Sequence, residues 1–377
     1  MHRLLLLFTF IFVGVSSLYA QKKYPLLEVG INEASKLSQE KQKNVLFSPL
    51  SLYTLNSMLA NMSVGETKKE LIGHLGYTKD EIVLLNSYLI DLQKRLGEEC
   101  VLKSALRYSK GYALNSSLKK ILEENYEAEI ASGDFIRKGE KVKDEINNWF
   151  YENTDYKIKD MIESISPMDK LILMNALYFK AEWEHPFDTK QTYNKDFHLN
   201  NQKTVKADFL SKTETVKCYA SGSTKAIILP YKGNYEMLMI STPTFSFDAI
   251  TAMDMKLKEK KVHIEFPKFV MNSSLDCIEL MRNMNVTIPF QSGADFTMLF
   301  KKSEKDLFVS KMYQKSFLKI DEIGTVAVAA SVAKVSRSLD MKDYEEYIFD
   351  QPFYFIIRNK MTKEPLFIGK VNNPVLN

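Results

Sequence analysis

The apolar positions of this chain change their period once, near the middle. In the first half they recur at helical spacing. Leu27, Ile31, Ala34 and Leu37 mark one helix. Ser48-Pro49 opens a second, with Ser as N-cap and Pro in the first turn, and Leu52, Leu55, Met58 and Leu59 as its apolar face. Thr67-Lys-Lys-Glu70 and Thr78-Lys-Asp-Glu81 each read as a capping box, in which Thr and Glu satisfy free N–H groups at a helix start. Leu85, Tyr88, Leu89, Leu92 and Leu96 supply the buried stripe of the helix after Thr78. From Leu171 the pattern is of strands. Leu171–Phe179 is almost continuously apolar, as a central strand covered on both faces would be. Further strand-like runs stand at 226–229, 236–241, 262–266, 317–320, 353–357 and 366–371. Helices early and strands late, with no repeat or linker between them, predict an α+β fold with large sheets.

One stretch fits neither half. Asp321-Glu-Ile-Gly324 ends an element, and Thr325-Val-Ala-Val-Ala-Ala-Ser-Val-Ala333 follows with no charge and no proline. Val and Thr favour strands and Ala fits either state. Beside the charged stretch Lys334 to Glu346, this reads as a loop able to become a strand. A buried strand or an Ala-rich helix followed by a loop remains the plainer alternative.

Residues 1–20 have their own logic. His2 and Arg3 precede the apolar run Leu4 to Val15, and the segment ends on the small residue Ala20, the layout of a secretory signal peptide. It is too short for a spanning helix. A secreted, extracellular, monomeric protein of one domain over 21–377 is expected. Sequons at Asn61, Asn115, Asn272 and Asn285 suit that route, with one to three of them used. Three cysteines, Cys100, Cys218 and Cys277, are an odd number, so a disulfide framework does not hold the fold. A net charge of +4 with Lys and Arg dispersed among Asp and Glu gives no basic stripe, hence no nucleic acid partner. No second apolar run nears membrane-spanning length.

Enzyme chemistry is hard to find. His74, His185, His198 and His263 show no metal-ligand spacing, and neither a nucleophile elbow nor a phosphate loop is present. No enzyme, metal or cofactor is predicted; a secreted hydrolase with a scattered triad stays as an alternative.

Several blocks, in order from about Tyr24 to Pro374, resemble the serpin family. They are Asn44-Val-Leu-Phe-Ser-Pro-Leu-Ser51, Leu173 through Phe187, Leu229-Pro-Tyr-Lys232, Phe266-Pro-Lys-Phe269, Gly293-Ala-Asp-Phe296, Phe349 through Ile357, and Phe367-Ile-Gly-Lys-Val-Asn-Asn-Pro374. The resemblance implies three β-sheets, eight or nine helices and an exposed reactive-centre loop, here about 322–347. In inhibitory serpins a serine protease cleaves that loop and is trapped as a covalent acyl complex while the loop enters the main sheet. About 12 inserted residues at roughly 3.3 Å each would carry the enzyme on the order of 40 Å. The family hinge falls on Glu322, Gly324, Thr325, Ala327, Ala329 and Ser331. Thr325, Ala327, Ala329 and Ser331 share one face, all small, with Val326 and Val328 on the other. Two registers for the reactive bond stay open. Arg337–Ser338 would suit a trypsin-like pocket; Ser338–Leu339 would suit an elastase- or chymotrypsin-like one. Ser48, Ser51 and Asn175 match a hydrogen-bonded cluster that controls sheet opening in the family, with Gln314 where a His is usual. Glu322 and Lys268 are expected to pair beside Trp183 near the top of the sheet. The helix carrying Lys94 and Arg95 has no dense basic face, so no glycosaminoglycan cofactor is implied. The alternative within the family is a non-inhibitory carrier, chaperone or storage protein. Val375-Leu-Asn377 is no retention signal, which disfavours a resident chaperone of the secretory pathway.

Overall fold

A computed structural model describes residues 25–38, 43–78, 81–157, 162–200, 203–300, 307–325 and 344–376. The signal-peptide segment 1–20 and the expected loop positions Ala327, Ala329, Ser331, Arg337, Ser338 and Leu339 lie outside these residues.

The described residues form eight α-helices and sixteen strands. Helix α1 (Pro25–Leu37) carries the first predicted stripe, and α2 (Pro49–Met62) starts as read, Ser48 Oγ accepting from Ser51 N at 3.1 Å. Every α2 residue except Asn61 is buried, polar Ser51, Thr54, Asn56 and Ser57 included. Such a helix has no solvent face because sheets and helices enclose it on all sides. Helix α3 (Gly65–His74) begins two residues before Thr67, against the predicted capping box. Thr67 Oγ1 instead accepts from Asp295 N at 2.9 Å, and Glu70 Oε2 accepts from Thr287 N and Ile288 N at 3.1 and 2.9 Å. Both side chains tie the helix to a distant loop. Only half of the second box forms: Thr78 N donates to Glu81 Oε2 at 2.6 Å, ahead of α4 (Ile82–Lys94). Helices α5 (Ser116–Tyr126), α6 (Gly139–Glu152), α7 (Phe247–Asp254) and α8 (Cys277–Asn283) complete the set.

The seven-stranded sheet runs β3 (Ala128–Gly133), β2 (Cys100–Ser109), β4 (Leu171–Phe179), β12 (Val309–Ile320), β13 (Gly324–Thr325), β5 (Ala181–Glu182), with β11 (Phe269–Asp276) on the other edge of β12. Strand β4 is buried throughout, as its unbroken apolar run predicts. It pairs in parallel with β12 from Leu171↔Val309 to Tyr178↔Phe317. Beyond Phe317 the two strands part. Short β13 sits there, antiparallel both to β12, through Ile320↔Thr325, and to β5, through Thr325↔Ala181.

The remaining strands form one hydrogen-bonded path where two further sheets were expected. Its order is β1 (Val45–Phe47), β16 (Pro365–Val371), β15 (Phe353–Asn359), β9 (Tyr235–Ser241), β8 (Thr224–Pro230), β7 (Thr204–Ser221), β10 (Lys258–Pro267), β14 (Glu345–Ile348), and β6 (Tyr193–His198) pairs with β7. The physical reason is β7. This 18-residue strand meets β8 only at 218–221 and β10 along 209–218, so it belongs to two layers at once and joins them.

The core follows from these layers. The largest apolar cluster lies between the two sheets around α2. Leu27, Ile31 and Ala34 of α1 and Ile250 and Met253 of α7 cover Ile228, Leu238, Ile240, Ile356 and Ile368 on one outer face. Val142, Ile146, Trp149 and Phe150 of α6 cover Ala105, Ile172, Met174 and Ala176 on another. Cys100, Cys218 and Cys277 are all buried free thiols. Among the described residues no helix is long and apolar enough to cross a membrane.

Candidate functional site

Two ends of one segment are fixed in different sheets, and residues 326–343 connect them. The first end is a tight turn after β12. Asp321 N donates to Gly324 O at 3.0 Å, while Asp321 Oδ1 accepts from Ile323 N and Gly324 N at 3.0 and 3.3 Å. The turn is fastened from the side. Trp183 N donates to Ile323 O (2.8 Å), Trp183 Nε1 to Asp321 O (3.0 Å), and Phe187 N to Glu322 O (2.8 Å). The Trp183 ring is buried and stacks on Tyr231 with centroids 4.3 Å apart. Tyr231 OH in turn lies 2.7 Å from Thr325 Oγ1. Burial pushes the Tyr231 phenol up, so it stays protonated at neutral pH.

Glu322 and Lys268 meet as expected, Nζ 3.2 Å from Oε1, and Thr192 Oγ1 adds a donor at 2.8 Å. Burial disfavours the Glu322 charge, but the bonds from Thr192, its own backbone and Lys268 outweigh that and hold its carboxyl below the ordinary range. Gly324 is required by close approach. A Cβ there would lie 2.2 Å from Ala181 O and 2.7 Å from Glu182 Cα, backbone atoms with no room to yield. Gly324→Ala is expected to destabilise the folded chain by about 1–3 kcal/mol. Its thermal midpoint would fall and Trp183 emission would shift to the red as the turn detaches. An unchanged midpoint and spectrum would mean that β13 does not depend on this contact.

Below the turn, where β4 and β12 touch, lies the expected polar cluster in altered form. Gln314 Nε2 donates to Ser48 O at 2.9 Å, so an amide does reach the α2 cap from the usual His position. Asn175 sits opposite Gln314 in the strand register but donates to Ser104 Oγ of β2 at 3.1 Å, so it is not bonded to Ser48 or Ser51 as predicted. The register of β2 against β4 sets Ser104 directly opposite Asn175, which brings that serine within reach. Ser51 Oγ, Asn175 Oδ1, Gln314 Oε1 and Ser316 Oγ are buried without a hydrogen-bond partner among the described residues. Each such atom costs roughly 1–3 kcal/mol relative to a satisfied one. The closed seam is therefore a costly arrangement at this level.

The second end is β14, which runs parallel to β10 through Val262↔Glu345 to Glu265↔Ile348. Tyr347 is buried, Lys260 Nζ lies 2.6 Å from Glu345, and Phe349 N donates to Glu265 O at 2.8 Å. Glu265 is a hub. Tyr193 OH and Lys195 Nζ each approach its carboxylate to 2.7 Å, and His263 Nε2 to 3.0 Å. Burial opposes its charge, yet these three partners outweigh burial and hold the carboxyl at about 2, against 4.5 ordinarily. A depressed carboxylate stabilises the fold fully above its ordinary value, and that support fades as pH falls through the folded one. Roughly 2 kcal/mol, discounted for partial exposure, should thus be lost between about pH 4.5 and pH 2. Urea midpoints through that window test this. Glu265→Gln should flatten the acid limb, and an identical acid limb in wild type and variant would refute the assignment.

Sequence reading missed Thr192, Tyr231, Ser104, Ser316 and the Glu265 hub, since long-range register alone brings them together. Of the sequons, Asn61 is half-buried. The nitrogen that a glycan would occupy donates to Ser57 O, Asn86 Oδ1 and Tyr126 OH at 2.9, 2.9 and 2.7 Å, inside the helical layer. Asn115 caps α5, its Oδ1 accepting from Ser117 N at 3.1 Å, while Asn272 and Asn285 are exposed. Among the described residues no group of His, Cys, Asp and Glu could hold a metal ion.

The family model for serpins (serine protease inhibitors) matches residues 27–374. Serpin-ZXA of Oryza sativa subsp. japonica is 30% identical over 366 residues, 89% of this chain and 91% of its own length. A structure of thyroxine-binding globulin with thyroxine superposes with a TM-score of 0.85 at 22% identity, covering 94% of this chain and all of that one. The mouse protein-Z dependent protease inhibitor does so with a TM-score of 0.84 at 24% identity, over 94% and 97% of the two chains. The two anchored ends, the part-opened strand pair and the family match over nearly the full length agree: this chain belongs to the serpin family.

Proposed function

We propose that this serpin is secreted after loss of residues 1–20 and inhibits a trypsin-like serine protease as a suicide substrate. The protease cleaves Arg337–Ser338 and is held as an acyl complex while the freed segment enters the seam between β4 and β12. The observation that carries this reading is β13, an antiparallel strand already begun between β12 and β5 at the top of that seam. Extending the Ile320↔Thr325 register sets Ala327 opposite Leu318, Ala329 opposite Ser316 and Ser331 opposite Gln314. Leu318, Ser316 and Gln314 are buried, so that face of the incoming strand needs small side chains. Val326 and Val328 would meet the half-buried positions Lys319 and Phe317, which tolerate bulk. The Ser331 hydroxyl would arrive where Gln314 Oε1 and Asn175 Oδ1 lack donors. Asn272 and Asn285, both exposed, are the favoured glycan acceptors.

Equimolar incubation with trypsin followed by denaturing electrophoresis tests the reading. A band of summed mass that survives boiling, with a released fragment beginning at Ser338, is expected. A fragment beginning at Leu339 would transfer specificity to an elastase- or chymotrypsin-like enzyme. Complete cleavage with the protease still turning over would overturn inhibition and leave a carrier role. Likeness to thyroxine-binding globulin supports that second reading.

A further inference from the structure

Strand β11 ends the seven-stranded sheet. It pairs with β12 along all 8 of its residues, from Phe269↔Ile320 to Asp276↔Tyr313, and meets no strand on its other side among the described residues. An edge of that length leaves backbone N–H and C=O groups free and can template another chain. Edges are ordinarily blunted by charge, proline, a bulge or a cover. From Phe269 to Leu275 this strand has neither charge nor proline, and its register is unbroken. In its middle stands the sequon Asn272-Ser273-Ser274, with Asn272 and Ser274 exposed on one face. The amide nitrogens of Asn61 and Asn115 donate to Tyr126 OH and Met298 O, whereas Asn272 stands open.

Beside the free edge lies a cleft of about 450 Å³, within the ~300–1,000 Å³ that small ligands fill. Met271 to Leu275, Asn272 included, form one part of its lining; Leu37, Lys43 to Leu46 and Leu376 supply the rest. That second part is fixed through Asn44. Its Nδ2 donates to Asn373 O and Leu376 O at 2.8 and 3.1 Å, and its Oδ1 accepts from Asn372 N and Asn373 N, both at 2.9 Å. Lys43 is the one charged residue of the described lining. Aliphatic side chains, neutral amides and hydroxyls, and an open strand edge suit a neutral ligand with an apolar face and an amide. N-acetylglucosamine, the first sugar on a glycosylated asparagine, has both. Its acetamido group is peptide-like and can pair with free N–H and C=O groups. Tethering at Asn272 holds it at an effective concentration on the order of millimolar, so weak contacts suffice to seat it.

We propose that the innermost sugars of a glycan on Asn272 lie in this cleft and cover the free edge of β11. In the modification, Asn272 Nδ2 loses a proton and forms an N-glycosidic bond to the oligosaccharide, whose lipid diphosphate carrier departs. The seated sugars keep the edge from pairing with a second copy of the chain. The inference rests on the secretion reading above, because only a chain in the secretory pathway meets that donor. It gives the Asn272 glycan a seat and a task.

The test uses the full chain secreted from mammalian cells, with glycopeptide mass spectrometry and native digestion by peptide N-glycosidase. Asn272 is expected to be modified. Ser273→Tyr keeps the sequon but puts a ring in the cleft lining, and should speed release of the Asn272 glycan from the folded protein about tenfold, the factor for a seat worth ~1.4 kcal/mol. Leu376→Trp, at a position 47% exposed in the same cleft, should act alike and serves if Ser273→Tyr folds poorly. Made without glycan in a bacterial cytoplasm, the chain should sediment as a concentration-dependent dimer. Asn272→Lys should return it to a monomer, since a charge on the edge blocks pairing. An unmodified Asn272 in the secreted protein, a release rate that neither cleft variant changes, or a glycan-free chain that stays monomeric overturns the inference. Trapping of trypsin by the same secreted protein is read separately and survives those results. A chain retained inside the cells overturns the secretion reading and the inference with it.

Discussion

Cleavage at Arg337–Ser338 is expected to raise the melting midpoint by about 15 °C. In the intact chain β4 and β12 share a single parallel seam, and β13, the strand that would separate them, is described as far as Thr325. After the cut, one parallel seam would be replaced by two antiparallel ones, a net gain of roughly ten backbone hydrogen bonds. At about 1 kcal/mol each, and with an unfolding entropy of roughly 0.7 kcal/mol/K for a chain of this length, the shift follows. Satisfying Asn175 Oδ1 and Gln314 Oε1 would add to it. The intact form would then be held by a barrier, so its midpoint should depend on scan rate while that of the cut form should not. Scanning calorimetry at two heating rates, before and after limited proteolysis, reads both effects. Equal midpoints for intact and cut protein would leave the sheet without a driving force for insertion.

Replacing the reactive cation is expected to have the largest effect on rate. Arg337→Ala should slow trapping of trypsin by at least about 100-fold, since a trypsin-type pocket holds a buried carboxylate that an alanine leaves unpaired. The cut form of the variant should retain the raised midpoint, because residue 337 would lie past the strand that fills the seam. Second-order rate constants for trypsin and for an elastase-class enzyme, measured side by side, separate the two registers. Loss toward trypsin alone fits Arg337 as the recognised residue. An unchanged trypsin rate places the scissile bond elsewhere.

The parts of the fold legible from sequence are those governed by local chemistry. Leu171–Phe179 announces a strand buried on both faces because no polar residue interrupts it until Asn175, and Pro49 announces a helix start because Ser48 precedes it. Thr67 and Glu70 mislead because their side chains have the right spacing for a cap but find better partners across a loop. Strand β7 is hidden for a different reason. It faces water along much of its length, so its lysines, threonines and glutamate mask the alternation that would mark a strand. At the site, Glu322–Lys268 and the Gln314–Ser48 contact follow from the family pattern, and both form. Asn175 goes to Ser104 because register on the opposite edge of β4 decides its partner, and no local pattern encodes that register. Tyr231 and Thr192 reach the turn from strands and loops far away in sequence, so only the folded chain identifies them.

Cys100, Cys218 and Cys277 are each buried as separate thiols. The molecule's architecture is therefore indifferent to the redox potential around it. Expression in a reducing cytoplasm needs no oxidative refolding step, and dithiothreitol in a storage buffer should leave the folded population intact.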